Sequence, residues 1–393
     1  MAERLFTAPR VERLAHTVHV ESLGRHHELV IAGSQFGHPM TNKDLISILT
    51  TEEKEYGQAM IDKSGIRERV LVSGRTRPEV LAEAVTASRL VLQKAMEVKG
   101  WDNLDALYLS SLDLPTSAAH LVAQEAGLDL HHVQNYRLAC AGSAAAFVDA
   151  LCDYSGRSAR IAVVAAEPLS AIIDLATQST TKDGRFNIPV FFGDGYYVLL
   201  FDPSDFQLQA AQTHFVPGGG MQVMTDYDFN ELKTSHNPAL IRSYHTFADG
   251  AEDIVAINDS GVYILQVPPS SEFGLQSEMN GGQTAIFFMR HTPNVVGRLP
   301  TDVLQNIDQA WWHQPGSIVL QGMEKGVNRF LNGHAVSMPF LDLGAPNMSS
   351  ATFLAVGQKL IQTGQLSPGQ NVLLIAPGIG STHVAAVVTF TFS

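Results

Sequence analysis

Cys140 stands in Ala139-Cys140-Ala141-Gly142-Ser143, between an extended segment and an Ala-rich stretch with the pattern of a helix. A thiol at a helix N-terminus faces unpaired backbone N–H groups and the positive end of the dipole, and both favour the thiolate. Such a sulfur suits a nucleophile that carries an acyl group as a thioester. The other reading is a buried structural cysteine, the common fate of a lone one. Cys152, further along the same helix among apolar residues, is read that way. His313 follows a strand-like run and precedes Pro315-Gly316, so it sits at a strand end. Asn347 lies among small residues just before another helix, and taken alone it is an N-cap candidate. Gly378 and Gly380 follow a buried strand. The chain holds 15 His, so any single one is weak evidence. The order Cys140, His313, Asn347, Gly378, Gly380, each at a strand–helix or strand–turn junction, carries more weight.

The elements that must hold these residues are legible as periodicities. Asp44 to Lys63 reads as helix, with a second start at Thr51-Glu52-Glu53. Glu79 to Lys99 is the clearest amphipathic helix. Ala106–Ser110 is a short strand, and Ser117–Gly127 a helix ending at glycine. Ala141–Tyr154, apolar nearly all round, is a buried helix. Arg160–Glu167 is a strand of the kind covered on both faces. Phe191–Asp202 is a Gly-turn followed by a strand. The second half echoes this order: a strand at Asp308–Gln314, helices at Gly316–Gly333 and Ser349–Thr363, and a strand at Asn371–Gly380. A closing strand, Val-Ala-Ala-Val-Val-Thr-Phe-Thr-Phe, follows. Two matched strand pairs in the same order suggest an internal duplication. Residues 204–300 differ, being rich in turn signals, and read as an insertion or cap. The expected division is 1–203, 204–300 and 301–393.

Composition narrows the function. Lys+Arg of 26 against Asp+Glu of 39 leaves a net charge of −13, a field that opposes nucleic acid and anionic membrane as partners. Two Cys in 393 residues exclude a disulfide framework and fit a reducing compartment. No apolar run approaches a membrane span, and the first residues lack a secretory h-region. The chain reads as soluble and cytoplasmic, and no metal-ligating pattern stands out.

Arg137–Phe147 resembles the nucleophile motif of β-ketoacyl-ACP synthase III. Ser64-Gly65-Ile66-Arg67-Glu68-Arg69 resembles that family's TGIRER segment, and Phe192-Gly193-Asp194-Gly195 its FGDG turn. His313-Gln314 stands where the family has HQAN, Asn347 where it has GNTS, and Gly378-Ile379-Gly380 where it has its C-terminal glycine loop. The likeness runs from about Asn42 to the end, apart from roughly 204–300. It implies an α/β thiolase fold: two duplicated halves in a five-layered α-β-α-β-α arrangement, normally a homodimer. It implies that Cys140 takes an acyl group from a thioester. His313 and Asn347 would then hold the second thioester's carbonyl, and the N–H groups of Cys140 and Ile379 would form the oxyanion hole. Gly378 and Gly380 would line the substrate site. No cofactor is implied; acyl-ACP or acyl-CoA serve as substrates.

The chain also departs from that pattern. HQAN becomes His313-Gln314-Pro315-Gly316, and GNTS becomes Pro346-Asn347-Met348-Ser349. A Trp and an Arg that precede TGIRER in the family are Ala59 and Lys63 here, so free CoA is expected to bind poorly. The insertion falls where the family builds part of its acyl pocket. Phe215 and Phe229, near Gly218-Gly219-Gly220, could gate an apolar channel or simply pack the insertion's own core. Arg67, Arg69, Arg75 and Arg77 form a candidate basic patch for an acidic carrier protein, or a set of solvated surface arginines. These features point to a specialised, secondary-metabolism relative that makes resorcinol, cyclohexanedione, pyrone or ketone products. Transfer of the acyl group to oxygen or nitrogen, the fatty-acid initiation reaction, and a non-catalytic partner subunit are the alternatives. A papain-like protease shares the Cys–His–Asn order but lacks the Trp after the Cys and the β-rich second half.

One expectation is direct. Incubated with acyl thioesters and weighed intact, the Cys140→Ala protein should form no covalent adduct, and Cys152→Ala should form it normally. An adduct mapped to Cys152 would overturn the assignment.

Overall fold

The computed structural model describes residues 18–23, 28–47, 54–71, 77–112, 114–115, 117–171, 190–215, 240–246, 252–258, 262–266, 275–279, 281–331, 335–378 and 382–392. In chain order the first half comprises β1 (His19–Leu23), β2 (Leu29–Ser34), β3 (His38–Thr41), α1 (Asn42–Ser47), α2 (Lys54–Ser64), β4 (Glu68–Leu71), α3 (Arg77–Lys99) and β5 (Ala106–Ser110). It continues with α4 (Ala118–Glu125), β6 (His132–Tyr136), α5 (Gly142–Asp153), β7 (Ile161–Glu167) and β8 (Gly195–Phe201). The second half comprises β9 (Phe206–Phe215), β10 (Leu240–Thr246), β11 (Glu252–Asn258), β12 (Val262–Gln266), β13 (Leu275–Met279), α6 (Gly281–Val296) and α7 (Thr301–Leu304). Then follow β14 (Gln309–Trp312), α8 (Ser317–Val327), α9 (Ser350–Gln362), β15 (Asn371–Pro377) and β16 (Thr382–Phe390).

Two sheets carry the molecule. The first runs β1-β2-β8-β7-β5-β6, the second β14-β15-β16-β9. Their shared part is a true repeat. In the first sheet β5 and β7 are parallel, while β8 is antiparallel to both β7 and β2. In the second, β14 and β15 are parallel, while β16 is antiparallel to both β15 and β9. Helices α3 and α4 cover one face of the first sheet, and α6 covers one face of the second with α8 packed on it. Between the sheets lie α5 and α9, and each touches strands of both. The result is five layers, α-β-α-β-α.

Local sequence accounts for this. β7 and β8 are apolar and wholly buried, as a strand with helices on both faces must be. α5 and α9 sit in the middle layer and bury almost their whole surface, so they lack a polar face. Within the expected helix over Asp44–Lys63 the described residues form α1 and α2, and α2 starts just after the second start signal.

The repeat also corrects the expected division. β9 is the edge strand of the second sheet and α6 its covering helix, so both belong to the C-terminal half rather than to an insertion. The inserted stretch lies between them and contains the antiparallel pairs β10–β11 and β12–β13. It enters at the point where the first half has β3, α1, α2 and β4.

Between β14 and the middle-layer helix α9, Trp311 stacks on Phe353, with centroids 4.6 Å apart and planes 3° from parallel. Its indole N–H donates to the Phe353 carbonyl at 2.5 Å. A Cβ at Gly357 would lie 2.2 Å from that indole. Alanine favours a helix by about 1 kcal/mol over glycine, but overpacking a filled core costs about 1–3 kcal/mol. Gly357→Ala should therefore lower stability in a urea melt, by up to about 2 kcal/mol on balance. An equal or higher midpoint would show that the Trp311 ring yields freely.

Candidate active site

The chain leaves β6 through Arg137 and Leu138 and enters a single 3-10 turn, Ala139–Ala141, before α5 begins at Gly142. Ala139 has φ +46°, and Ser349, at the start of α9, has φ +49°. Among the described residues these are the non-glycine positions in the left-handed region. Strain of this kind persists where the surrounding structure over-determines it, commonly at functional sites. The two stand at equivalent points of the repeat, each entering a middle-layer helix. Cys140 lies within the first of these turns and is fully buried. Cys152 corrects the expectation: it lies on an exposed part of α5, with its thiol raised by partial burial and by Asp149 and Asp153.

The glycine loop after β15 reaches this turn. A Cβ on Gly378 would sit 2.6 Å from the Leu138 carbonyl and 3.2 Å from the Ala141 nitrogen, so only glycine allows the approach. Gly378 N–H donates to the Thr382 carbonyl at 2.7 Å and closes the loop's base. Ile379 and Gly380 lie outside the described residues.

His313 continues from β14, and its N–H donates to the Ile375 carbonyl of β15 at 2.8 Å. The side chain is fully buried, and neither ring nitrogen has a hydrogen-bond partner. Burial pushes the imidazole down to about 3, so the ring is neutral. It offers one donor and one acceptor, both unused. Leaving a buried polar group unmet costs about 1–3 kcal/mol.

Asn347 is fixed from two sides. Its N–H donates to the Phe191 carbonyl at 2.9 Å, and its carbonyl accepts from Gly193 at 3.3 Å. Its Oδ1 accepts from Ser349 N–H at 2.9 Å and from the Thr352 hydroxyl at 3.3 Å. Those bonds orient the amide and leave Nδ2 as the donor. The cap reading is met by Oδ1, at one end of the side chain. The Phe192–Gly195 turn is the support. Its buried Asp194 accepts from Ser170 N–H at 2.7 Å, Asp194 N–H donates to Val70 at 2.9 Å, and burial lifts the carboxyl to about 7.

Glu167, ending the buried strand β7, was not singled out from sequence. It is fully buried and accepts from Ser350 N–H at 3.2 Å, the Ser350 hydroxyl at 2.5 Å and Leu112 N–H at 3.0 Å. Burial lifts it to about 8. The signal was present: an acid closing an otherwise apolar buried strand.

The arginine patch is largely undone. Arg69 is fully buried, with Nη2 donating to Asn42 Oδ1 at 2.8 Å, because odd positions of β4 face inward. It is removed from the surface patch. Arg67 is exposed and pairs with Asp342 at 3.9 Å. Arg77 begins α3, and Arg75 lies outside the described residues. Phe215 ends β9 beside Thr382, at the root of the glycine loop. Phe229 lies outside the described residues. Among the described residues no group of His, Cys, Asp and Glu is placed to hold a metal ion, and no helix is long and apolar enough to cross a membrane.

The depressed imidazole has a measurable consequence. The folded chain resists protonating His313, while the unfolded chain takes up a proton near its ordinary value of about 6.5. Stability from this source is present above that value and is lost as pH falls toward the folded value. From about pH 8 to about pH 5 the wild-type melting temperature should therefore fall relative to that of His313→Gln. Parallel curves would show that His313 is exposed to solvent protons in the folded state.

No protein-family model and no curated protein matches the sequence. Solved structures do match. The 3-oxoacyl-(acyl carrier protein) synthase III of Pseudomonas aeruginosa PAO1 aligns over 95% of this chain and 98% of its own, at 17% identity and a TM-score of 0.60. The tetrahydroxynaphthalene synthase of Streptomyces coelicolor A3(2), a bacterial type III polyketide synthase, aligns over 92% and 99%, at 16% identity and 0.64. Cerulenin-bound OleA of Xanthomonas campestris aligns over 97% and 99%, at 15% identity and 0.63. Identities this low speak to architecture: with its repeated sheets and five layers, the chain has the thiolase fold of these synthases.

Proposed function

We propose that the protein is a condensing enzyme that joins two acyl thioesters by a Claisen-type reaction through an acyl group held on Cys140. The observation that carries this reading is the buried, neutral His313 with both ring nitrogens free. It lies beside the strand end whose glycine loop packs on the Cys140 turn. Structural protein gains nothing from such a ring. A developing enolate oxygen gains a donor from it, and a second from Asn347 Nδ2.

The chemistry follows in two stages. Cys140 thiolate attacks the first thioester's carbonyl carbon. The backbone N–H groups of Cys140 and Ile379 hold the resulting oxyanion, which collapses and expels the carrier thiolate, and that thiolate takes up the proton the cysteine lost. The second thioester then binds with its carbonyl oxygen on His313 and Asn347. Loss of carbon dioxide, or of an α-proton carried off by solvent water, gives the enolate, whose carbon attacks the acyl-Cys140 carbonyl. Collapse expels the Cys140 thiolate and leaves a β-ketoacyl thioester.

The acyl groups are read as medium or long chains. A cysteine-to-serine variant of Xanthomonas campestris OleA has been solved with bound lauric acid and lauroyl-CoA, and this chain carries an inserted stretch between β9 and α6 of its second half. A secondary-metabolism product, a homodimer and delivery by acyl carrier protein complete the proposal. Arg67 with Arg75 and Arg77 remain as carrier-protein contacts.

The test is intact mass after exposure to acyl-CoA and acyl carrier protein thioesters, followed by a second thioester. Wild type should gain one acyl group and then release it as product. His313→Ala and Asn347→Ala should load normally but condense about 100- to 1,000-fold more slowly, the usual cost of one oxyanion donor. No adduct on wild type would overturn the reading, and normal condensation by Asn347→Ala would reduce that residue to a cap.

A further inference from the structure

Gln314, next to His313, is almost fully buried, and both polar atoms of its amide bond a single residue. Nε2 donates to the Leu341 carbonyl at 2.9 Å, and Oε1 accepts from the Leu341 N–H at 2.7 Å. The side chain thus stands in for a strand, pairing with a backbone that has no ladder of its own. Among the described residues, 335–345 forms neither helix nor strand. That same segment leads directly into Asn347. It also walls a cavity of about 350 Å³ whose other wall is Gly65–Glu68.

His313 and Asn347 are anchored to different bodies. His313 is held by the second sheet, through Ile375. Asn347 is held by the Phe191–Gly193 turn of the first half. Two side chains next to the site connect the strand of His313 to the stretch carrying Asn347. Trp311 reaches Phe353 beyond it, and Gln314 reaches Leu341 before it. Asn347 is bracketed between these two contacts.

We propose that Gln314 is a positioning residue that sets the spacing of the His313 and Asn347 donors by clamping Leu341. The proposal rests on the condensing reading above for its kinetic consequence, though not for its structural one. Loading of Cys140 does not use the donor pair, so the clamp matters only in the second stage. A displacement of about 1 Å in a reacting group costs on the order of 100-fold.

The test uses three proteins: wild type, Gln314→Met, which keeps the volume and removes both bonds, and Gln314→Glu. Lauroyl-CoA and lauroyl carrier protein load Cys140, and malonyl and lauroyl thioesters serve as second substrates. Gln314→Met should load within about 2-fold of wild type and condense about 10- to 100-fold more slowly. Gln314→Glu sets a carboxylate oxygen against the Leu341 carbonyl, and protonation restores the missing donor. Its condensation rate should climb as pH falls, with loading unaffected, a profile that wild type lacks. Hydrogen exchange at residues 341–347 should speed up in Gln314→Met, whatever the reaction. Loss of loading, condensation and melting temperature together would make Gln314 a fold residue and overturn the proposal. So would wild-type condensation or unchanged exchange in Gln314→Met. A wild type that loads but never condenses would sink the condensing reading, and the exchange result alone would then decide the clamp.

Discussion

The carboxyl of Glu167 ties together what the rest of the site needs. It belongs to the first half, at the end of β7, yet it receives the N–H and hydroxyl of Ser350 at the head of α9, in the second half. Its other oxygen receives Leu112 N–H, at the turn beyond β5. From Ser350 the contact continues, since its carbonyl accepts from the Ser143 hydroxyl at 2.7 Å, at the head of α5. The two middle-layer helices, one begun by the Cys140 turn and the other by Asn347, are therefore held head to head by the Ser143–Ser350 bond, and the buried acid ties that junction to β7 and to the turn beyond β5. Together with the bonds of Asn347 to Phe191 and Gly193, these directed contacts fix the spacing of the Cys140 turn and Asn347 across the two halves more sharply than apolar packing alone.

That arrangement sets opposing demands on pH. Glu167, raised to about 8, keeps its proton in the folded chain while the unfolded chain releases it above 4.5. The stability it lends is full below that lower value and is lost as pH rises toward 8. His313 has the reverse slope, losing stability as pH falls below the ordinary imidazole range. No pH relieves both groups. Together with the left-handed turns at Ala139 and Ser349, they make the centre of the molecule costly to fold, while the flanking layers are apolar and dense. Stability given up at a site and recovered in the surrounding core is the usual pattern where function requires unmet polar groups.

Much of this was legible in the chain. The strands that became β5, β7, β14 and β15 announce themselves as short apolar runs because helices cover both their faces. The repeat was visible for the same reason. Its extent was misjudged because β9 is an edge strand of mixed composition, Phe206 to Phe215, and nothing in its pattern ties it to a sheet whose other strands lie far downstream. Cys140, His313 and Asn347 stood out through their junctions with small residues. Arg69 did not reveal its burial, since in Arg67-Glu68-Arg69 only strand alternation separates the exposed guanidinium from the buried one. Cys152 erred the other way, because a middle-layer helix emerges at its C-terminal end and a run of apolar neighbours does not show where.

Asn347 shows why sequence alone leaves such residues open. An asparagine before a helix, among small residues, is a cap by every local rule, and here Oδ1 does bond the N–H two residues on. A cap formed by serine or aspartate would satisfy the same N–H equally well. What asparagine adds is the second group on the same carbon: once Oδ1 is spent on Ser349 and Thr352, Nδ2 is oriented without any further contact. The local rule and a role as an oriented donor would select the same residue, so composition cannot separate them. What separates them is the use of Nδ2, since a cap needs only Oδ1 and is indifferent to the group that shares its carbon.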